Sequence, residues 1–106
     1  MRGFKRHAKV RSDLRSAARW YEEQAALGAA FLRAVEEAVQ AILAAPRAWP
    51  AWGGAPRDLE LRYFPLARFP YLVAYVVAAD DEPIVLAIAH AKHRPGYWLR
   101  RVRSSR

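Results

Sequence analysis

Apolar residues recur at every third or fourth position in two successive stretches of the chain, as they do on one face of an amphipathic helix. The first stretch carries Leu14, Ala17, Ala18, Tyr21 and Ala25, and the second carries Phe31, Val35, Val39, Ile42 and Leu43. Leu27 and Gly28 separate the stretches and Pro46 ends the second, since glycine commonly follows a helix end and proline cannot continue a helix. So short a connection predicts two antiparallel helices packed as a hairpin.

After a loop rich in proline and glycine, the pattern changes to that of β-strands. Residues 58–63 alternate charged and apolar side chains, and residues 71–78 and 83–90 are nearly continuous β-prone apolar runs separated by an acidic turn at 80–82. Residues 3–7 predict a short strand before the helices, and residues 97–102 predict a short helix after Pro95 and Gly96.

This order of elements indicates a single α+β domain over residues 1–106. We expect an N-terminal strand, an antiparallel helical hairpin packed on one face of a small, mainly antiparallel sheet, and a short C-terminal helix. The loop tryptophans Trp49 and Trp52 are predicted to cover the edge of the core, because large aromatic side chains are usually buried; the alternative is an exposed stacking surface.

Charge narrows the class of partner. Eighteen Lys and Arg residues against ten Asp and Glu residues give a formal net charge of +8, which indicates an anionic partner, either nucleic acid or an acidic protein. Residues 1–12 hold five Lys or Arg residues and no acid, and no acid follows Glu82, so the two ends would form one cationic face if they meet. The chain has no cysteine, so it can form neither disulfides nor a thiolate metal site. It has no apolar run typical of a signal peptide or a membrane span, so we expect a cytoplasmic protein.

Four residues that can carry phosphate chemistry stand at the end of the last predicted strand: His90, Lys92, His93 and Arg94. An imidazole that titrates near neutral pH and cations that stabilise a phosphorane are what metal-free phosphodiester cleavage requires. Strand alternation predicts His90 and Lys92 on the face that the helices leave uncovered. The alternative is that these are strand-end residues with a solvated cationic rim. Two histidines without further ligands do not indicate a zinc site.

A second set of residues is typical of a binding surface. Arg62 and Arg68 precede or end predicted strands, where each can hold a phosphate or simply extend into water. Tyr97 and Arg101 are four residues apart and therefore adjacent on a helix, and Trp98 is predicted to dock that helix.

Three longer segments, DLRSAARWYEEQ, RFPYLVAYVV and VLAIAHAKHRPGYWLRR, together resemble the RelE/ParE toxin superfamily of bacterial toxin–antitoxin systems across almost the whole chain. The matching positions, in order and spacing, are 68–71, 75, 87–90, 94–95, 97–98 and 101. The resemblance implies a small basic toxin that a neighbouring antitoxin neutralises by wrapping over it. RelE-like members cleave messenger RNA on the ribosome, whereas ParE-like members poison DNA gyrase.

The resemblance favours the ParE-like branch, because RelE-like nucleases carry arginines at two positions where this chain has Leu72 and His93. We therefore predict a gyrase inhibitor with a ParD-like antitoxin, without cofactor, metal or membrane partner. The predicted partner-binding residues are Arg62, Arg68, Arg94, Tyr97, Trp98 and Arg101.

Two alternatives stay open. One is a RelE-like, ribosome-dependent messenger RNA endonuclease that would use His90, Lys92, His93, Arg94 and Arg68. The other is a module that binds an antitoxin or nucleic acid without toxicity.

Overall fold

The computed structural model describes residues 4–55, 58–92 and 97–101. The helices are α1 (Val10–Ala25) and α2 (Gly28–Ala44), and a 3₁₀ turn, the C-terminal turn, spans Tyr97–Arg100. The strands are β1 (Lys5–Arg6), β2 (Leu61–Pro65), β3 (Tyr71–Val77) and β4 (Pro83–His90). The element order is the predicted one. The strand predicted at 58–63 begins instead at Leu61, and the terminal helix is a single 3₁₀ turn.

The hairpin turn between α1 and α2 is built on Ala26, which adopts the left-handed conformation with φ of 53°. Its backbone N–H donates to the carbonyl of Glu22, and the Glu22 carboxylate accepts a hydrogen bond of 3.2 Å from the N–H of Gly28. Gly28 is therefore the first residue of α2 and not the end of α1. A side chain at Gly28 would lie 3.0 Å from the carbonyl oxygen of Ala18, so glycine permits the two helices to approach each other.

The strands form one mixed sheet in the order β1-β4-β3-β2. The β2–β3 and β3–β4 pairs are antiparallel, and β1 pairs with β4 in parallel, which confirms the predicted mainly antiparallel sheet. The basic strand β1 therefore lies beside β4, and Arg101, the last residue that the structure describes, also contacts β4 through the carbonyl of Leu86. Lys5 on β1 forms an ion pair with Glu82 at 3.1 Å, so part of this positive charge is matched by an acid.

Each face of the sheet packs against its own apolar cluster. The helix-side cluster joins the hairpin to β3 and β4 and includes Phe31, Val73 and Tyr75. The opposite cluster includes Leu72 and Trp98 and is closed by the half-buried Trp52. The expectation that helices cover one face and leave the other exposed is thus wrong, because the loop before β2 and the C-terminal turn cover the second face.

A β-bulge changes the alternation of side chains along β4. The pairing with β3 moves from Ala74 opposite Ala87 to Tyr75 opposite Val85, which leaves Leu86 as an extra residue on β4. Leu86 and Ala87 consequently both belong to the opposite cluster, whereas Val85 and Ile88 pack with the helices. Even-numbered residues of β4 therefore face the opposite cluster before the bulge and the helices after it.

Candidate functional site

An ion pair ties the C-terminal turn to the start of the first helix. The guanidinium of Arg101 contacts both carboxylate oxygens of Asp13, at 2.6 and 3.2 Å, and both side chains are only 13% exposed. The same guanidinium donates to the carbonyl of Leu86 at 3.0 Å, and the Asp13 carboxylate accepts from the N–H of Ile88 at 3.0 Å. The pair therefore joins α1, the bulged part of β4 and the C-terminal turn.

Beside this ion pair lies a cavity of about 280 Å³, which we call the aromatic pocket. One wall is a face of α1, because Asp13, Ser16 and Trp20 are three and four residues apart on the helix. The full lining consists of Ser12, Asp13, Ser16, Ala17, Trp20, Tyr71, Ile88, His90 and Tyr97. The pocket thus brings together α1, the paired ends of β3 and β4, and the C-terminal turn.

His90 and Tyr71 both line the pocket. They are partners in the β3–β4 register, and their rings meet edge to face with centroids 5.0 Å apart. The Nδ1 atom of His90 accepts a hydrogen bond of 3.1 Å from the backbone N–H of Lys92. Burial raises the pKa of the Tyr71 and Tyr97 phenols, so both are protonated at neutral pH and can donate hydrogen bonds.

The structure corrects the predicted position of His90. Because the bulge shifts the alternation, His90 lies on the helix side with Ile88 and not on the opposite face. Lys92 follows the strand end and is exposed, and Arg68 is exposed in the β2–β3 connection with its guanidinium 5.9 Å from the ring centre of Phe69. His93 and Arg94 lie outside the described residues.

Three of the predicted partner-binding residues hold the structure together. Arg62 donates to the carbonyl of Trp49 at 2.7 Å and to the carboxylate of Glu60 at 3.1 Å, so it fastens the loop to β2. Trp98 is 2% exposed within the opposite cluster, and Arg101 is occupied by the ion pair described above. Tyr97, in contrast, is 40% exposed.

The loop tryptophans have the predicted structural role. The indole N–H of Trp49 donates to the carbonyl of Ala41 at 3.3 Å, and its ring packs edge to face on Phe64. Trp52 contacts both Tyr63 and Trp98. The two side chains therefore close the helix-side and opposite clusters, respectively.

Trp20, Ser16 and Asp13 form a wall of the pocket that the sequence-based prediction missed. Their signal was available in the sequence: a row of polar and aromatic residues at three- and four-residue spacing beside the apolar face of α1. No cluster of three metal-ligating side chains occurs among residues 4–55, 58–92 and 97–101. Neither α1 nor α2, nor any other helix in those ranges, has the length and apolar content to cross a membrane.

Comparison with known proteins identifies the family. The sequence model of the ParE toxin of type II toxin–antitoxin systems, parDE, matches residues 4–95. The fold matches a chain in the solved structure of a chromosomal ParDE toxin–antitoxin system from P. aeruginosa, with a TM-score of 0.62 and 21% sequence identity. That match covers 87% of this chain and 98% of the other. No curated protein sequence matches significantly. With most of its length matched by the family's sequence model, the chain belongs to the ParE toxin family of type II toxin–antitoxin systems.

Proposed function

We propose that this toxin inhibits DNA gyrase in the cytoplasm and is neutralised by a ParD-like antitoxin. The family match over residues 4–95 carries the proposal. The net charge of +8 supports an acidic or amphipathic antitoxin segment, because complementary charge accelerates association and favours the correct partner.

The geometry of the site supports binding over catalysis. In metal-free phosphodiester cleavage, cations must face the reacting phosphate to stabilise its developing charge. Here the guanidinium groups of Arg62 and Arg101 contact Glu60 and Asp13. Leu72, at the position where the RelE-like nucleases have an arginine, is 8% exposed and packs in the opposite cluster. A cation at that position would be buried on the face of β3 that points away from the aromatic pocket.

The six predicted partner-binding residues divide into two roles under this proposal. Arg68 and Tyr97 present exposed side chains to the partner, and Arg94 is assigned to the same role from the sequence. Arg62, Trp98 and Arg101 hold the loop and the C-terminal turn in place. Loss of the second group weakens binding through loss of structure, whereas loss of the first group weakens it directly.

One observation favours the RelE-like nuclease as a second candidate: His90 lines the aromatic pocket together with Tyr71 and Tyr97. A titratable imidazole beside two phenols can exchange protons with a bound hydroxyl group. In that case Lys92, Arg68, His93 and Arg94 would contact the phosphate.

The two candidates are separated by measuring both activities of the purified chain. We expect the chain to inhibit gyrase-catalysed supercoiling, and we expect the antitoxin encoded by a neighbouring reading frame to relieve this inhibition. In a translation reaction we expect transcripts to stay intact. Codon-phased transcript cleavage with unchanged supercoiling would overturn the proposal in favour of the nuclease. Absence of both gyrase inhibition and transcript cleavage would identify the chain as a non-toxic binding module and would also overturn the proposal.

The variant His90→Asn sharpens this comparison. Asparagine can still accept the hydrogen bond that the N–H of Lys92 donates to His90, but it does not titrate near neutral pH. Gyrase inhibition is expected to persist in this variant. If the unchanged protein cleaves transcripts and the variant does not, His90 would be identified as a proton-transfer group, which would support the nuclease.

A further inference from the structure

We propose that the aromatic pocket binds a nucleobase of a single-stranded nucleic acid. The proposal does not rest on gyrase inhibition, although the pocket shares Tyr97 with the predicted partner-binding surface. The proposal combines three features of the described residues: exposed aromatic walls, hydroxyl groups within the lining, and exposed cationic side chains at the same end of the sheet.

The first feature is the exposure of two aromatic rings around one cavity. Trp20 is 54% exposed and Tyr97 is 40% exposed, although both belong to residue types that normally bury most of their surface. Among residues 4–55, 58–92 and 97–101, the other large apolar side chain with comparable exposure is Leu32, on α2. Two exposed rings that line a cavity of about 280 Å³ provide surfaces on which a planar base can stack.

The second feature is the polar part of the lining. Ser12 and Ser16 contribute hydroxyl groups from α1, and Tyr71 and Tyr97 contribute phenols. Hydroxyl groups donate and accept hydrogen bonds, so they match the mixed donors and acceptors on the edge of a base. The Asp13 carboxylate, which would repel a phosphate, is matched by Arg101 at 2.6 Å. A purely apolar ligand would leave these hydroxyl groups without partners.

The third feature is positive charge at the same end of the sheet. Tyr71 and His90 form the last register pair of β3 and β4, and the N–H of Ala91 donates to the carbonyl of Pro70 just beyond them. Arg68 and Lys92 are both exposed; Arg68 stands three positions before Tyr71, and Lys92 two positions after His90. Cations at this end can contact the backbone phosphates on either side of a stacked base. This charge favours a nucleic acid over an aromatic side chain of a protein.

The test measures the affinity of the purified toxin for a short labelled oligo-uridine and a short labelled oligo-thymidine at several salt concentrations. We expect binding that quenches tryptophan fluorescence. Trp20→Ala and Tyr97→Ala are each expected to lower the affinity about tenfold, the lower part of the range for loss of one base stack, without changing the salt dependence. Leu32→Ala, a matched loss of an exposed apolar side chain outside the pocket, is expected to leave the affinity unchanged.

Charge variants separate the phosphate contacts from general attraction to a basic protein. Arg68→Gln and Lys92→Gln are expected to reduce the slope of affinity against salt concentration by about one each. Arg33→Gln removes an exposed charge from α2 and is expected to affect the slope less. A preference for oligo-uridine or for oligo-thymidine identifies RNA or DNA as the ligand, and equal affinity for both supports a site that accepts either strand.

Equal affinity of Trp20→Ala and the unchanged protein at every salt concentration would overturn the proposal, because binding would then depend on charge alone. Quenching of Trp20 by gyrase or antitoxin, but by neither oligonucleotide, would also overturn it and assign the pocket to a protein partner. Neither result bears on the supercoiling assay, so failure of this site and failure of gyrase inhibition are distinguishable.

Discussion

Asp13 and Arg101, 88 positions apart in the chain, form a nearly enclosed ion pair with two N–O contacts of 2.6 and 3.2 Å. The pair also satisfies the carbonyl of Leu86 and the N–H of Ile88 on β4. The ion pair therefore supplies hydrogen-bond partners to β4 at Leu86 and Ile88, beyond Ile84 and Val85, the residues that pair with β1. Asp13 of α1 therefore helps to position the C-terminal turn, together with the buried side chain of Trp98.

Asp13→Asn is expected to lower the free energy of unfolding by about 2–3 kcal/mol, because it leaves a mostly buried guanidinium without its counter-charge. The measurement is urea unfolding at neutral pH. Glu82→Gln is the control, since it removes an ion pair with Lys5 whose side chains are 58% and 43% exposed. We expect that change to cost less than about 1 kcal/mol. Similar losses in the two variants would contradict the structural role given to Asp13.

Gly28→Ala is expected to destabilise the protein by about 1–2 kcal/mol, although alanine normally favours a helix over glycine. The new methyl group would lie 2.9 Å from the Glu22 carboxylate and 3.0 Å from the carbonyl of Ala18, so the carboxylate and the backbone of α1 must shift slightly away from it. Gly53→Ala is the matched control, because no atom lies within 4 Å of its added methyl group. Thermal unfolding of both variants checks the prediction, and a stabilised Gly28→Ala protein would show that the helix contact is loose.

Tyr75→Phe is expected to remove part of the loss of stability at high pH. Tyr75 is fully buried and its hydroxyl donates to the carbonyl of Pro46. Burial raises the pKa of its phenol to about 12. Below pH 10 both the folded and the unfolded forms are protonated. Between pH 10 and 12 only the unfolded form loses its proton, so stability falls as the pH rises, by up to roughly 2–3 kcal/mol.

The measurement is the free energy of unfolding of both proteins between pH 8 and the highest pH at which they remain folded. Phenylalanine cannot ionise, so the slope above pH 10 should be shallower in the variant. At neutral pH the variant should instead be less stable by about 1 kcal/mol, because the carbonyl of Pro46 loses its donor. Parallel curves for the two proteins would mean that other groups cause the alkaline loss.

Trp98→Ala is expected to destabilise the protein by about 3–5 kcal/mol, because it opens a cavity in the opposite cluster beside Trp52. Trp20→Ala removes the same side chain from a position that is 54% exposed, and its effect should stay within about 0.5 kcal/mol. Urea unfolding of both variants provides the comparison. A small effect at Trp98 would indicate that the C-terminal turn contributes little to the second core.

The sequence was sufficient to predict the helical hairpin, the order of the strands along the chain and the mainly antiparallel sheet. These depend on local periodicity, which Phe31, Val35 and Val39 carry clearly on α2. The loop tryptophans were also predictable as core residues, because a large aromatic ring in a proline-rich loop has little other means of burial. The family resemblance is confirmed by the family match over residues 4–95, which includes the segment RFPYLVAYVV but ends before Tyr97, Trp98 and Arg101.

The candidate site was less predictable, because its geometry depends on contacts between distant segments. The face on which His90 lies is set by the bulge, which strand alternation alone does not reveal. The roles of Arg62 and Arg101 depend on acids 2 and 88 positions away, and an arginine's sequence neighbours do not indicate which acid it will contact. The sequence did not distinguish Trp20 from the other residues of α1, because only the fold shows that it lines one cavity together with Tyr97.

The extra residue at Leu86 gives β4 two different orientations within eight residues. A strict two-residue repeat would send Ile84 and His90 to the same face, yet Ile84 packs with the opposite cluster and His90 opens into the aromatic pocket. A single inserted residue thus reverses which face of the sheet the later side chains of β4 point to. In a relative that lacks it, a histidine at the same distance from the hairpin would point under the C-terminal turn, and identical residues would build a different surface.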